Sequence, residues 1–194
     1  MRPVGHLSVA LLGTAVACVV ALHLIRPRVS PIERRLSEYA VGPYGWLMDT
    51  AFAATAGGLT ALAIFLTRSA GRPRLVPAAL VVAAVALLLS AMYRLDTTDS
   101  ADDAVHRWAS GTAAAAVVVA AIGWSVVGTG RERPWRRGPD LLLAILALGL
   151  AALSLVLQET VLTGINQRLV WAALIAWSVV VTITDRGSQR RSRR

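Results

Sequence analysis

LLLAILALGLAALSLVL, residues 141–157, contains no charged residue and a single hydroxyl group, and it decides the fold class. A helix that crosses a bilayer needs about 20 mainly apolar residues, whereas a surface helix of a soluble protein carries a polar face. Comparable apolar runs occur along the whole 194-residue chain, whose mean hydropathy is +0.59. The sequence therefore predicts an all-α protein, a polytopic membrane bundle of six transmembrane helices in one domain.

The predicted spans are apolar runs that end at arginine-rich segments. They cover residues 5–25, 43–67, 75–93, 104–127, 141–157 and 164–182, and a basic tail covers residues 183–194. These spans leave no room for a soluble domain of ordinary size. Ala53, Gly57 and Gly58 predict a close helix–helix contact through small residues.

The basic residues set the expected orientation. All 20 are arginine, and the net charge is +9. With both termini on one side of the membrane, 13 arginines lie on that side and 7 on the other. The positive-inside rule then places both termini, and the tail, in the cytoplasm. Because the arginines stand at span ends, where they anchor helices at headgroups, we predict no nucleic-acid binding. The alanine-, valine- and arginine-rich composition without lysine indicates a bacterial protein, and hence the bacterial cytoplasmic membrane.

Asp49 lies about six residues inside the second predicted span. A carboxylate at that depth costs on the order of a few kcal/mol unless it is paired, protonated or hydrated. Three interpretations remain open. Asp49 is a packing carboxylate paired with an outer arginine such as Arg168 or Arg35, a proton donor or acceptor in a lipid-facing pocket, or a surface residue.

His106 stands just inside the outer end of the fourth span. It is interpreted either as an interfacial hydrogen-bonding group or as a catalytic base or metal ligand. His23 could join it, with Asp96 or Asp99 completing a metal site, but no spacing typical of metal ligands supports this. We therefore predict neither a metal nor a cofactor.

Most polar groups lie at the outer ends of the spans. Packing of the helices into a bundle would bring these ends together around one opening. Carboxylates and imidazoles there are candidates for acid/base chemistry, and amides and a guanidinium for binding carbonyl or phosphate oxygens. The candidate catalytic residues are Asp49, Glu159, His106, Asp96 and Glu38. The candidate substrate-binding residues are Trp46, Tyr39, Tyr93, Trp108, Asn166, Gln167, Arg168 and Trp171.

Simpler interpretations exist for the same groups. The amides and the guanidinium of the sixth span could be ordinary headgroup anchors, and the aromatic residues could form an interfacial belt. An inward cluster of aromatic rings would instead stabilise a cationic intermediate. The acidic stretch 96–103 is expected to be largely a solvated loop.

Three sequence patches also carry a family resemblance. The first patch contains Ser37-Glu38-Tyr39, Gly42 and Gly45-Trp46-Leu47-Met48. The second is Asp96, followed ten residues later by His106, and the third contains Gly164-Ile165 and Gln167-Arg168. In order and spacing they resemble the bacterial six-helix membrane proteins catalogued as domain of unknown function 998. The resemblance implies six helices with polar patches on one side, and it implies no particular reaction.

The leading functional hypothesis is an integral membrane enzyme that performs acid/base chemistry on an amphiphilic lipid or isoprenoid in a pocket open to the outer side. Headgroup hydrolysis or transfer and protonation-initiated terpene cyclisation both fit. The alternative is a non-enzymatic accessory or lipid-binding subunit, and a third is a small transporter. Expected partners are membrane lipids, an amphiphilic small molecule, and a second copy of the chain or another membrane protein.

Overall fold

The computed structural model describes residues 2–68, 74–94, 101–127, 138–156 and 161–191. These residues form six α-helices and one short 3-10 helix, with no strand among them. The α-helices are α1 (Arg2–Ile25), α2 (Gly45–Thr67), α3 (Leu75–Met92), α4 (Ala101–Val127), α5 (Gly138–Val156) and α6 (Thr163–Arg191). The 3-10 helix covers Leu36–Ala40, between α1 and α2. The predicted all-α, six-helix fold is confirmed.

Five of the helices are long and apolar enough to cross a membrane. In α5, the apolar stretch found among the described residues is Leu141–Leu153. The outward surfaces support the same conclusion. On α3, Val81, Val85 and Leu88 are each about half exposed, a pattern that water would penalise and lipid accommodates. The protein is a multi-pass membrane protein.

Consecutive helices pack against one another, and contacts between α1 and α6 close the bundle. Asp49, near the start of α2, contacts Arg94 just after α3, and Arg168 near the start of α6 contacts His23 near the end of α1. The ends of α1 and α3 and the starts of α2, α4 and α6 therefore lie together. We call this end of the bundle the loop face. The start of α1 and the end of α6 lie at the opposite end.

The crossing of α1 and α2 depends on small residues, as predicted for two of three positions. A Cβ atom on Gly58 would lie 2.8 Å from Cγ of Leu12, and the Ser8 hydroxyl donates to the Gly58 carbonyl at 2.9 Å. Gly57 approaches Leu11 in the same way. Ala53, the third predicted position, is exposed.

Several helix ends differ from the predicted spans, among them the start of α4 and the end of α6. Helix α4 begins at Ala101, so Asp102 and Asp103 occupy its first turn, where carboxylates interact favourably with the helix dipole. Asp103 is only 3% exposed and pairs with Arg107, so the prediction of a solvated loop was wrong for this residue. The backbone of α6 continues to Arg191, well beyond the end of its apolar run.

Candidate functional site

The first loop, residues 26–44, folds back onto the loop face. Its main chain crosses the first turn of α6, where the Ile165 N–H donates to the Ile32 carbonyl at 3.0 Å. A Cβ atom on Gly164 would lie 2.6 Å from that carbonyl oxygen and would also collide with the carbonyl oxygen of Arg34. The contact requires glycine at position 164.

Arg168 ties this loop to two helices. Its Nε donates to Nε2 of His23 at 2.8 Å, and its Nη1 donates to the carbonyls of Arg34 at 2.7 Å and Gly164 at 2.9 Å. Nδ1 of His23 lies 2.7 Å from the Val19 carbonyl, which can only accept. The hydrogen of His23 is therefore assigned to Nδ1, and its Nε2 lone pair accepts from Arg168.

Tyr39 lies at the centre of the same cluster. Its ring is fully buried and 5.7 Å from the guanidinium carbons of both Arg26 and Arg168, and the His23 ring is 5.0 Å away. Nη1 of Arg26 donates to the Tyr39 and Val41 carbonyls at 3.1 and 2.8 Å. An interfacial belt was the wrong interpretation for Tyr39, because two cation–π contacts hold it inside. We call His23, Arg26, Tyr39 and Arg168 the loop anchor.

Three further candidate site residues also bind main-chain groups. Glu38 accepts the Arg35 N–H at 2.8 Å and pairs with Arg34 at 3.3 Å, which fixes the start of the 3-10 helix. Oε1 of Gln167 accepts the N–H of Leu36 at the same helix start. Asn166 is 4% exposed, and its Nδ2 lies 3.4 Å from the Leu150 carbonyl.

Beneath the 3-10 helix lies a cavity of about 120 Å³ between α2, α3, α4 and α6. For scale, an engineered apolar cavity of about 150 Å³ binds benzene. The walls are mainly apolar, with Leu36, Met48, Phe52, Leu59, Leu87, Ala113, Ala114, Val117, Val170, Trp171, Leu174 and Ile175. The polar lining residues are Ser37, Thr55, Ser110, Gln167 and Ser178. Along α6 the lining runs from Gln167 to Ser178, roughly 16 Å at 1.5 Å per residue. The lining residues of α6 thus cover about three helical turns.

His106 lies beside this cavity. It is 2% exposed, because its ring fills the junction between α3 and α4. Nδ1 donates to the carbonyls of Ser90 and Tyr93 at 2.9 and 2.8 Å, which lie in the last turn of α3 and just beyond it. Nε2 is 3.4 Å from Oγ of Ser110, a lining residue of the cavity, and Phe52 packs edge-on at 5.9 Å.

Asp49 pairs with Arg94. The predicted pairing with an outer arginine is found, but the partner is Arg94 rather than Arg168 or Arg35, because Asp49 lies on the side of α2 next to the end of α3, while Arg168 faces α1. The side chains of Asp49 and Arg94 are 23% and 55% exposed. Asp49 is not among the residues that line the cavity, although its neighbour Met48 is.

The remaining candidates divide by exposure. Trp46, Trp108 and Tyr93 are 60%, 80% and 37% exposed and lie outside the cavity lining, whereas Trp171 is half-buried and lines it. Asp96 and Glu159 lie outside the described residues. Within the described ranges, no group of three histidine, cysteine or acidic side chains could hold a metal ion. His23 and His106 belong to separate clusters.

Sequence reasoning did not find Arg26, Ser90 or Ser110. A usable signal existed for Ser110, because His106 and Ser110 are four residues apart and so share a helix face. The contact with Ser90 carried no such signal, because it depends on how α3 meets α4.

Residues 9–184 match a family model described as Protein of unknown function (DUF998). The chain belongs to the DUF998 family. The suspected membership is thus confirmed. No curated protein and no solved structure matches the chain. The three patches that carried the resemblance to DUF998 proteins lie at the loop face. Their described residues lie in the 3-10 helix, in the first two turns of α2, α4 and α6 or, for Gly42, between the 3-10 helix and α2.

Proposed function

We propose that the protein is an integral membrane enzyme that performs acid/base chemistry on an amphiphilic substrate. The observation that carries the proposal is the apolar cavity, which has a buried imidazole separated from it by one hydroxyl group. An apolar cavity of about 120 Å³ suits part of an alkyl or isoprenoid chain. The loop face above it supplies the polar surroundings that a headgroup needs.

His106 is the best candidate for the acid/base group. Glu38 and Asp49 are engaged with arginines, and no carboxylate of the described part of the chain is among the residues that line the cavity. Protonating an isoprenoid requires a strong acid directed into the apolar space, whereas hydrolysis or transfer requires a base near a nucleophile. The geometry therefore favours hydrolysis or transfer over cyclisation.

The proposed location is the bacterial cytoplasmic membrane, with the loop face outward and both termini in the cytoplasm. The first loop carries four arginines on the outer side, against the general trend. Among them, Arg26 binds the loop carbonyls, and Arg34 pairs with Glu38. Their presence outside has this structural reason, so it does not argue against the orientation that the other arginines favour.

A second candidate is a non-enzymatic lipid-binding subunit. It is favoured by the structural use of Glu38 and Asp49, which need no chemistry to explain them. In that case the amphiphile would occupy the cavity unchanged. The two candidates share the cavity and differ only in whether the bound molecule is converted.

The cavity is tested by purifying the full chain in mild detergent and identifying co-purifying small molecules by mass spectrometry. Ala114→Leu fills the cavity, and Ala115→Leu makes the same change at an exposed neighbour. Overpacking costs about 1–3 kcal/mol, so we expect the Ala114→Leu variant to retain about tenfold less of a discrete amphiphile. The Ala115→Leu variant should match wild type. Bulk phospholipid in equal amounts in all three proteins would contradict the proposal.

Conversion is tested next, with the amphiphile so identified. Wild-type protein should convert it, and His106→Asn, which keeps a donor near the position of Nδ1 but removes Nε2, should not. Binding without conversion by either protein would favour the lipid-binding subunit.

A further inference from the structure

A chain of three side chains leads from α3 to the cavity. Oγ of Ser90 lies 3.1 Å from Oγ of Ser110, and Oγ of Ser110 lies 3.4 Å from Nε2 of His106. Ser110 is the member that lines the cavity. Ser90 and His106 are 1% and 2% exposed, so the surrounding helices hold both in place.

The imidazole has one defined tautomer. Both partners of Nδ1 are main-chain carbonyls, which only accept, so the hydrogen resides on Nδ1. Nε2 therefore presents its lone pair, and its nearest polar neighbour is the Ser110 hydroxyl. In a Ser-His-Asp triad a carboxylate orients the imidazole through Nδ1–H, and here two carbonyls at the end of α3 do the same.

The contact is longer than an ideal hydrogen bond. Distances between a nucleophile and its base are commonly long in proteins without substrate and shorten when the substrate binds. The four-residue spacing on α4 keeps the two side chains on one helix face, so a small rotation of Ser110 brings them together.

We propose that Ser110 is a nucleophile and His106 its general base, and that the substrate is an acyl ester of an amphiphile with its acyl chain in the cavity. This inference rests on the proposed function and names its substrate class. It also assigns the cavity a covalent step, which the proposed function does not require.

The reaction proceeds in two balanced halves. Nε2 of His106 takes the Ser110 proton as Oγ bonds to the acyl carbon, and the resulting tetrahedral oxyanion expels the alcohol, which leaves with that proton. Water then gives a proton to Nε2 and attacks the acyl-serine. Collapse of the second oxyanion releases the carboxylic acid, and Ser110 Oγ regains the proton.

The competing explanation is structural, because serine hydroxyls often link transmembrane helices. Such a link would stabilise α3 against α4 without making Ser110 reactive. Reactivity and stability must therefore be measured on the same proteins.

The experiment exposes full-length protein in mild detergent to an octyl fluorophosphonate, which forms a stable adduct with activated serines. Mass spectrometry should locate the adduct on Ser110 in wild type. Ser125→Ala is the matched control, since Ser125 lies on α4, outside the cavity lining, and donates to a carbonyl four residues earlier. It should be labelled at the wild-type rate. Ser110→Ala should not be labelled, and His106→Asn should react about 100-fold more slowly or less.

A second variant keeps the test decisive if Ser110→Ala folds poorly. Ser110→Cys, in a background with Cys18→Ala, should lose reaction with the fluorophosphonate and gain rapid alkylation by iodoacetamide. The thiol introduced at position 110 should be alkylated more slowly when His106→Asn is added, because the base that activates it is gone.

The outcomes separate this inference from the proposed function. Wild type that binds a discrete amphiphile but is not labelled, or is labelled equally in Ser110→Ala, overturns the nucleophile and leaves the binding cavity standing. An adduct confined to Ser110 in a protein that retains no amphiphile supports the nucleophile and contradicts the proposed substrate class.

Discussion

The loop anchor and the junction between α3 and α4 lie at the same end of the bundle and use similar chemistry. In the loop anchor, Arg168 donates to the carbonyls of Arg34 and Gly164. At the junction, His106 donates to the carbonyls of Ser90 and Tyr93. In both places a basic side chain donates to two main-chain carbonyl oxygens, at least one of which lies outside an α-helix.

The two regions differ in what remains after those bonds are made. In the loop anchor, both nitrogens of His23 are engaged, and no member of the anchor lines the cavity. At the junction, Nε2 of His106 faces a hydroxyl that does line it. In our proposal, these similar polar clusters therefore have different roles: the loop anchor is structural, and the junction between α3 and α4 is chemical. Mutations in each region test this difference.

The largest effect is expected from Gly164→Ala, which tests the structural role of the loop anchor. The added methyl group would collide with the carbonyl oxygens of Ile32 and Arg34, and backbone atoms cannot move aside as a flexible side chain can. We expect a loss of about 3 kcal/mol in the free energy of unfolding, at the upper end of overpacking costs. The measurement is thermal unfolding in detergent.

Gly149→Ala is the matched control for this substitution. Gly149 lies in α5, and a Cβ atom there would meet nothing within 4 Å. Alanine is also a better helix former, so stability should stay constant or rise by up to about 1 kcal/mol. Equal effects at the two glycines would show that the first loop is not seated on α6 as described.

The next effect in size is expected from Arg168→Met, which removes three hydrogen bonds and one cation–π contact while keeping much of the apolar side-chain volume. We expect a loss of about 2 kcal/mol, mostly as local opening of the first loop. Trypsin should then cleave after Arg34 or Arg35 about 30-fold faster, as fragment masses would show.

Arg168→Lys refines this result. Lysine keeps the charge but cannot supply donors in the forked geometry that reaches His23 and Arg34 together. Cleavage should therefore be intermediate between that of the wild type and that of the methionine variant. Full protection by lysine would mean that charge alone, and not the geometry of the guanidinium, holds the loop.

The sequence was enough to predict the helices and the end of the bundle at which polar groups gather, because both follow from the lengths of apolar runs and the residues between them. It did not predict which polar groups meet. Asp49 was expected to contact an outer arginine such as Arg168 or Arg35, and the arginine that it contacts is Arg94. Partner choice depends on helix rotation and on the path of the first loop, and neither is encoded in local periodicity.

Tyr39 is a second residue whose contacts the sequence did not predict. Its position beside a span end suggested either an interfacial ring or a member of an inward aromatic cluster, and the sequence did not decide between them. Burial followed only from the approach of Arg26 and Arg168 from two different helix ends. By contrast, the spacing of His106 and Ser110 is local, so a search for base–nucleophile pairs four residues apart would have found it.

The smallest effect is expected from Asp49→Asn, which tests whether this carboxylate belongs with the structural group or with the chemical one. Its partner Arg94 is more than half exposed, and exposed ion pairs contribute about 1 kcal/mol or less. A double-mutant cycle of Asp49→Asn and Arg94→Met should therefore give a coupling energy below about 1 kcal/mol. The amount of co-purifying amphiphile should equal that of wild type.

The value of this variant lies in the comparison with Ala114→Leu. Both residues belong to the helices around the cavity, but Ala114 lines it and Asp49 does not. If Asp49→Asn also depletes the amphiphile, without a matching loss of stability, the carboxylate contacts the ligand through a route that the cavity lining does not include. The set of residues with a chemical role would then extend from His106 to Asp49 on α2. Protonation of the substrate would in that case gain support against acyl transfer, because a carboxyl group would lie next to the substrate.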